Sequence, residues 1–116
     1  MGKRILVVED STMMRRVIMK VLKEAGHEIV GEASSGADSI EMYKELQPDI
    51  VTMDITMRGM DGITASKEIM KLDSNAQILI LSNLDEEKYR DEVEQIGALG
   101  LVNKHQTEQI LKLVGS

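Results

Sequence analysis

Three carboxylates, a hydroxyl and an ammonium stand where short apolar runs end in this sequence. Glu9 and Asp10 follow Ile5-Leu-Val-Val8, and Asp54 closes Asp49-Ile-Val-Thr-Met. Ser82 and Asn83 follow Ile78-Leu-Ile-Leu81, and Lys104 follows a weaker run from Leu99 to Asn103. If these run ends share one rim, three anions crowd together, and their repulsion is severe in a partly buried cleft without a cation. A hard divalent ion that prefers oxygen relieves it. Mg²⁺ is the best fit, because it keeps waters and takes only one or two direct carboxylates. Such an ion can hold an incoming phosphoryl group while it moves in line to an acceptor oxygen. Lys104 and Ser82 are the right types to receive phosphoryl oxygens, one as a point charge and one as a short donor. Asp54 is the best acceptor, since its strand should be central and the acid pair opposite can clamp the metal; carboxylates form such acyl phosphates covalently.

Taken singly, most of these residues have ordinary explanations. Asp10 alone reads as a helix cap, Ser82 and Asn83 as turn formers, and Lys104 as a solvated surface charge. Only Asp54, which closes an otherwise apolar strand, resists that treatment. Together they favour a site, because several strand ends facing one crevice all carry groups fit for metal-phosphate chemistry.

The elements that must position them alternate in period. Arg4–Val8 reads as a buried strand, and apolar residues from Met13 to Ala25 then recur at helical spacing, with Gly26 as a stop. Glu28–Ala33 is a second strand, Ala37–Leu46 a second helix closed before Pro48, and Asp49–Asp54 a third strand. A helix over Ile63–Leu72, a strand over Gln77–Ser82 and a charged helix over Glu86–Ile96 follow. A weak strand over Leu99–Asn103 and a helix over Thr107–Val114 complete the pattern. Five strands each followed by a helix require parallel pairing through right-handed crossovers. The expected class is α/β: one doubly wound, five-stranded parallel sheet with five helices, in which a ligand binds beyond the carboxyl ends of the strands.

Composition narrows the function. At 116 residues the chain fits one domain, residues 1–116. No apolar run exceeds four residues, so a membrane span is not expected, and with no cysteine there are neither disulfides nor thiolate metal sites. The cytosol is the default address. A net charge of −6, no Trp, no Phe and only Tyr43 and Tyr89 argue against a nucleic-acid partner. Gly31 to Gly36 has Walker-like spacing, but Ala37-Asp38 replace the required Lys and Ser/Thr. His27-Glu28 begins like a zinc-protease motif, yet Gly31 occupies the second histidine's place, so His27 is expected in a turn. Most of the nine methionines fall on apolar stripes and read as core.

Val7-Val-Glu-Asp10, Asp49-Ile-Val-Thr-Met-Asp54, Met60-Asp-Gly62, Ser82 and Lys104 resemble the receiver domain of two-component response regulators. Met14-Arg15 after the acid pair brings the likeness nearest to the stand-alone chemotaxis, or CheY-type, members, whose fold is flavodoxin-like with strand order 2-1-3-4-5. The resemblance implies that Asp54 is the phosphoacceptor and that Asp10, Asp54 and the Thr56 carbonyl ligate Mg²⁺, with Glu9 acting through water. It makes Ser82 the switch hydroxyl and sets Lys104 against the acceptor or its phosphate. It implies a histidine kinase or phosphotransfer domain as donor, and a downstream target protein such as the flagellar switch. A monomeric signalling domain without an external substrate is expected.

The sequence departs from that pattern in places. Leu101 stands where an aromatic usually turns inward, so output coupling cannot use a ring there. His105 replaces a proline, and a trans Lys104–His105 bond is expected, since a non-proline cis bond costs about 3–4 kcal/mol. Asn83 and Arg58 replace a very small residue and a proline, and a larger side chain at the mouth is expected to slow phosphoryl passage. Residues 1–23 carry a net +4 and residues 85–94 a net −4. The resemblance places donor docking on the first helix and output on the fourth helix, fifth strand and fifth helix, and an acidic output face suits a basic partner. Two rival readings remain: an interaction module that signals without phosphate, favoured by Leu101 and His105, and a Mg²⁺-dependent phosphohydrolase, opposed by Thr56 where that class has a second Asp.

Overall fold

The computed structural model describes residues 2–83 and 87–115. Five strands, β1 (Arg4–Val8), β2 (Glu28–Ala33), β3 (Ile50–Asp54), β4 (Ile78–Ser82) and β5 (Gly100–Asn103), pair in parallel in the order β2-β1-β3-β4-β5. Five α-helices alternate with them: α1 (Thr12–Glu24), α2 (Gly36–Leu46), α3 (Gly62–Leu72), α4 (Arg90–Ile96) and α5 (Thr107–Val114). Central strands are apolar at nearly every position because both faces of the sheet are covered. Leu6, Val8, Val51, Met53, Ile78 and Ile80 face one way, onto Tyr43 of α2, Ile63 and Ile69 of α3 and Val93 of α4. Their alternates Ile5, Val7, Ile50, Leu79 and Leu81 face the other, onto Ile18 and Leu22 of α1 and Ile110 and Val114 of α5. Full burial of each such side chain contributes about 1.5–3 kcal/mol, so the two-sided pattern fixes which face each helix must cover.

The helix starts are set by capping oxygens. Ser11 accepts from the Met14 amide, Ser35 from that of Asp38 and Asp61 from that of Thr64. Asp10 is therefore not the cap its position suggested; the next residue fills that role. Gln47, at φ 43°, closes α2 ahead of Pro48, and Gly97, at φ 86°, closes α4, a left-handed conformation that suits glycine. The fourth helix is shorter than its charge pattern implied: a 3₁₀ turn over Glu87–Tyr89 precedes it, and Glu86 lies outside the described residues. His27 falls in the connection between α1 and β2, as expected; it is buried there, and its Nδ1 accepts from the Lys3 amide. Among the methionines, Met53 and Met57 are buried, Met14, Met19, Met42, Met60 and Met70 pack against the two cores, and Met13 is exposed. The Lys104–His105 peptide is trans, as expected.

The sheet order creates the crevice. From β1 the chain crosses outward to β2, and from β3 it crosses the other way to β4, so the carboxyl ends of β1 and β3 diverge at the switch in direction. Backbone bonds carry the sheet just past its formal ends: the Glu9 amide donates to Ala33, Ile55 to Leu81 and Lys104 to Ser82. The residues at those tips are consequently held by the ladder and not by loose loops.

Candidate functional site

Val8 pairs with Met53 across β1 and β3, and the next residues along, Glu9 and Asp54, stand at the rim of the crevice. Both are buried, Asp54 to 1% exposure and Glu9 to 0%, whereas Asp10 is exposed. One carboxylate oxygen from each of Glu9, Asp10 and Asp54 lies within 4.8 Å of the others. From the far side of the sheet, 95 residues later in the chain, Lys104 enters the same cluster and is itself buried. Its Nζ donates to Glu9 Oε1 at 2.7 Å and to Asp54 Oδ1 at 3.5 Å. The first is a close, charge-assisted bond and the second is at the limit of contact, so the ammonium belongs chiefly to Glu9.

Glu9 is fully engaged. Its Oε1 takes Lys104, its Oε2 accepts from the Ser11 amide at 2.9 Å, its backbone N–H goes to Ala33 and its carbonyl oxygen accepts from Arg15 Nη1 at 2.7 Å. Asp54 is the opposite case. Its Oδ2 is buried and has no hydrogen-bond partner, and the Asp10 carboxylate makes no bond among the described residues. A buried carboxylate oxygen without a partner is costly, and a bound ion or a chemical role is among the reasons a native protein keeps one.

Electrostatics follow from that arrangement. Burial, then the charges of Glu9 and Asp10, push the Asp54 carboxyl up to about 7 from its ordinary 3.8, against the opposing pull of Lys104. Burial works against the Lys104 ammonium, but the hydrogen bond to Glu9 and the charges of Asp54 and Glu9 outweigh it and raise its pKa. One ammonium thus neutralises one of three carboxylates well and a second weakly. The set is all oxygen, net negative and has an open oxygen on Asp54 and an open carboxylate on Asp10, which suits a hard divalent cation.

The remaining expected residues stand around this cluster. Ser82 is buried at the end of β4, directly opposite Asn103 on β5, with Lys104 the next residue along. Thr56 lies two residues past Asp54 on the β3–α3 connection and is exposed, lining a cleft of about 290 Å³ with Met57, Asp61 and Tyr89. Asn83 is exposed beside Ser82, and its carbonyl accepts from Asn103 Nδ2 at 3.1 Å. Leu101 is half-buried and packs on the core that includes Val93 of α4. Two supports escaped the reading of residue types. Gly62 brings the start of α3 onto the acceptor strand: its amide donates to the Ile55 carbonyl at 2.8 Å, and a Cβ there would overlap the Asp54 carbonyl. Arg15 reaches from α1 to the Glu9 carbonyl. The glycine was visible in Met60-Asp-Gly62; nothing local marks the arginine's partner.

A family model of the response regulator receiver domain matches residues 5–114. The chain is a member of that family. The receiver is 47% identical over 104 residues to the chemotaxis protein CheY of Thermotoga maritima, covering 90% of this chain and 87% of that one. It is 43% identical over 115 residues to the CheY of Bacillus subtilis, covering 98% and 96%. Among solved structures, the CheX–CheY–BeF3–Mg²⁺ complex from Borrelia burgdorferi superposes at a TM-score of 0.91 with 32% identity, over 96% of this chain and 85% of that one. The response regulator domain of Thermotoga maritima CheB does so at 0.90 with 31% identity, over 98% and 94%. These likenesses establish a receiver of the CheY type within two-component chemotaxis signalling, with an acidic cluster compatible with a metal site.

Proposed function

We propose that this receiver takes a phosphoryl group onto Asp54 in a Mg²⁺-dependent reaction and passes the signal to a downstream protein in a chemotaxis system. The donor is a phosphohistidine on a kinase or phosphotransfer domain, and residues 1–116 act as one unit without an external substrate. The observation that carries this reading is the buried Asp54 Oδ2, which has no hydrogen-bond partner, on a carboxylate that clusters with those of Glu9 and Asp10 within 4.8 Å.

In the proposed reaction an Asp54 oxygen attacks phosphorus, an O–P bond forms, the N–P bond of the donor breaks, and the departing imidazole keeps the electron pair and takes a proton. Mg²⁺ held by Asp10, Asp54 and the Thr56 carbonyl would offset the charge on the transferring oxygens, with Glu9 acting through water. Lys104 is 3.5 Å from Asp54 and can move its ammonium from Glu9 to a new phosphoryl oxygen. Ser82, buried one strand away, supplies a hydroxyl toward the same group. The added charge then biases α4 and its neighbours between two packings, which alters affinity for the target. Leu101 makes that coupling one of aliphatic repacking.

Incubation with Mg²⁺ and a small labelled phosphodonor tests the reading, with Asp54→Asn as control. Stable label that the substitution abolishes is the expected result. No label would favour an interaction module, and steady turnover of many phosphate esters would favour a hydrolase.

A further inference from the structure

Arg15 is half-buried on α1, with its side chain only 14% exposed, and its guanidinium spans two elements. Nε donates to Glu32 Oε1 on β2 at 2.8 Å, and Nη1 donates to the Glu9 backbone carbonyl at 2.7 Å. The carbonyl belongs to the peptide linking Glu9 to Asp10, so the fork fixes the plane from which the exposed Asp10 side chain departs. Nothing else among the described residues ties the Asp10 carboxylate in place. We infer that Arg15 is a positioning residue for the metal site: through the Glu9–Asp10 peptide it aims the Asp10 carboxylate at that of Asp54, with Glu32 holding the guanidinium at the required angle.

The inference rests on the Mg²⁺ site proposed above. Two physical effects oppose each other and so separate the possibilities. A positive charge near an acidic cluster weakens cation binding by Coulomb repulsion, so removing it should tighten binding. A fork that preorganises a ligand strengthens binding, so removing it should weaken the site, by about 10-fold where outer partners of metal ligands have been removed. Lysine separates the two, since it keeps the charge but cannot serve two acceptors in a fixed fork.

The experiment is a Mg²⁺ titration followed by amide chemical shifts in the full chain, for the wild type, Arg15→Lys, Arg15→Ala and Glu32→Gln. Both Arg15 substitutions should weaken Mg²⁺ binding by about 10-fold, and Glu32→Gln, at an exposed residue whose loss leaves the fold intact, should weaken it in the same direction by less. Hydrogen exchange in the metal-free protein should quicken at the Asp10 and Ser11 amides in Arg15→Lys while β1 and β3 stay protected. Wild-type affinity in Arg15→Lys, tighter binding in Arg15→Ala, or exchange that quickens across the whole fold overturns the positioning role alone. Absence of saturable, Asp10- and Asp54-dependent binding in the wild type overturns the metal site and this role with it.

Discussion

Asp54→Asn should make the metal-free protein more stable at pH 8, although it removes the central residue of the site. The Asp54 carboxyl stands near 7 in the folded protein against 3.8 ordinarily, chiefly from burial and then from Glu9. A raised folded-state pKa means that the native state holds this proton more tightly than the unfolded chain does. Its contribution to stability is therefore complete below pH 3.8 and is lost as pH rises through about 7. Ionising the group in place costs about 4 kcal/mol, at 1.36 kcal/mol for each tenfold change in the proton equilibrium. Asparagine keeps the shape without the charge, and Lys104 keeps its closer partner Glu9. Thermal unfolding by circular dichroism should show the variant more stable by about 2–4 kcal/mol at pH 8, roughly 8–16 °C in Tm for a domain of this size. At pH 5 the native carboxyl is protonated but the unfolded one is already ionised, so the gap should shrink to about 1–2 kcal/mol, and it should close only below pH 3.8. Saturating Mg²⁺ at pH 8 should raise the wild type alone, by about 2.7 kcal/mol at 100 times its Kd. A stability difference independent of pH, or a variant less stable at pH 8, would refute the electrostatic account.

Lys104→Met should act in the opposite direction. It leaves Glu9 and Asp54 buried with no cation, and urea unfolding near pH 7.5 should show a loss of about 3–5 kcal/mol that diminishes as acid neutralises the pair. Gly62→Ala drives a Cβ into the Asp54 carbonyl, so it should lower Tm and, in whatever fraction folds, weaken Mg²⁺ binding by displacing the acceptor strand. Unchanged Tm in that variant would show that the α3 start is not held against β3.

How far the sequence reached can be judged element by element. Uninterrupted apolar runs at Ile5–Val8 and Ile78–Leu81 announced strands covered on both faces, and the strand–helix alternation required a parallel sheet, while the strand order 2-1-3-4-5 followed only from the receiver resemblance. The sequence pattern runs the fourth helix from Glu86 because all but Tyr89 and Val93 are charged between Asp85 and Glu94, which leaves little apolar periodicity to mark a start; the helix begins at Arg90, after the 3₁₀ turn over Glu87–Tyr89. Asp10 was legible as either cap or ligand. Only the geometry at Ser11, its backbone extended and its Oγ accepting from the Met14 amide, assigns the cap and leaves Asp10 over.

Residue order along the chain by itself determined which groups end up on the rim, because a parallel sheet brings every strand's carboxyl end to the same side. It could not say how those groups pair. That Lys104 grips Glu9 and barely touches Asp54, that one Asp54 oxygen is left over, and that its carboxyl is held near 7 depend on through-space distances of a few ångströms between residues far apart in sequence. Charge interactions fall steeply with distance and burial. A spacing of residue types carries neither quantity, so the tertiary structure alone decided the state of the site.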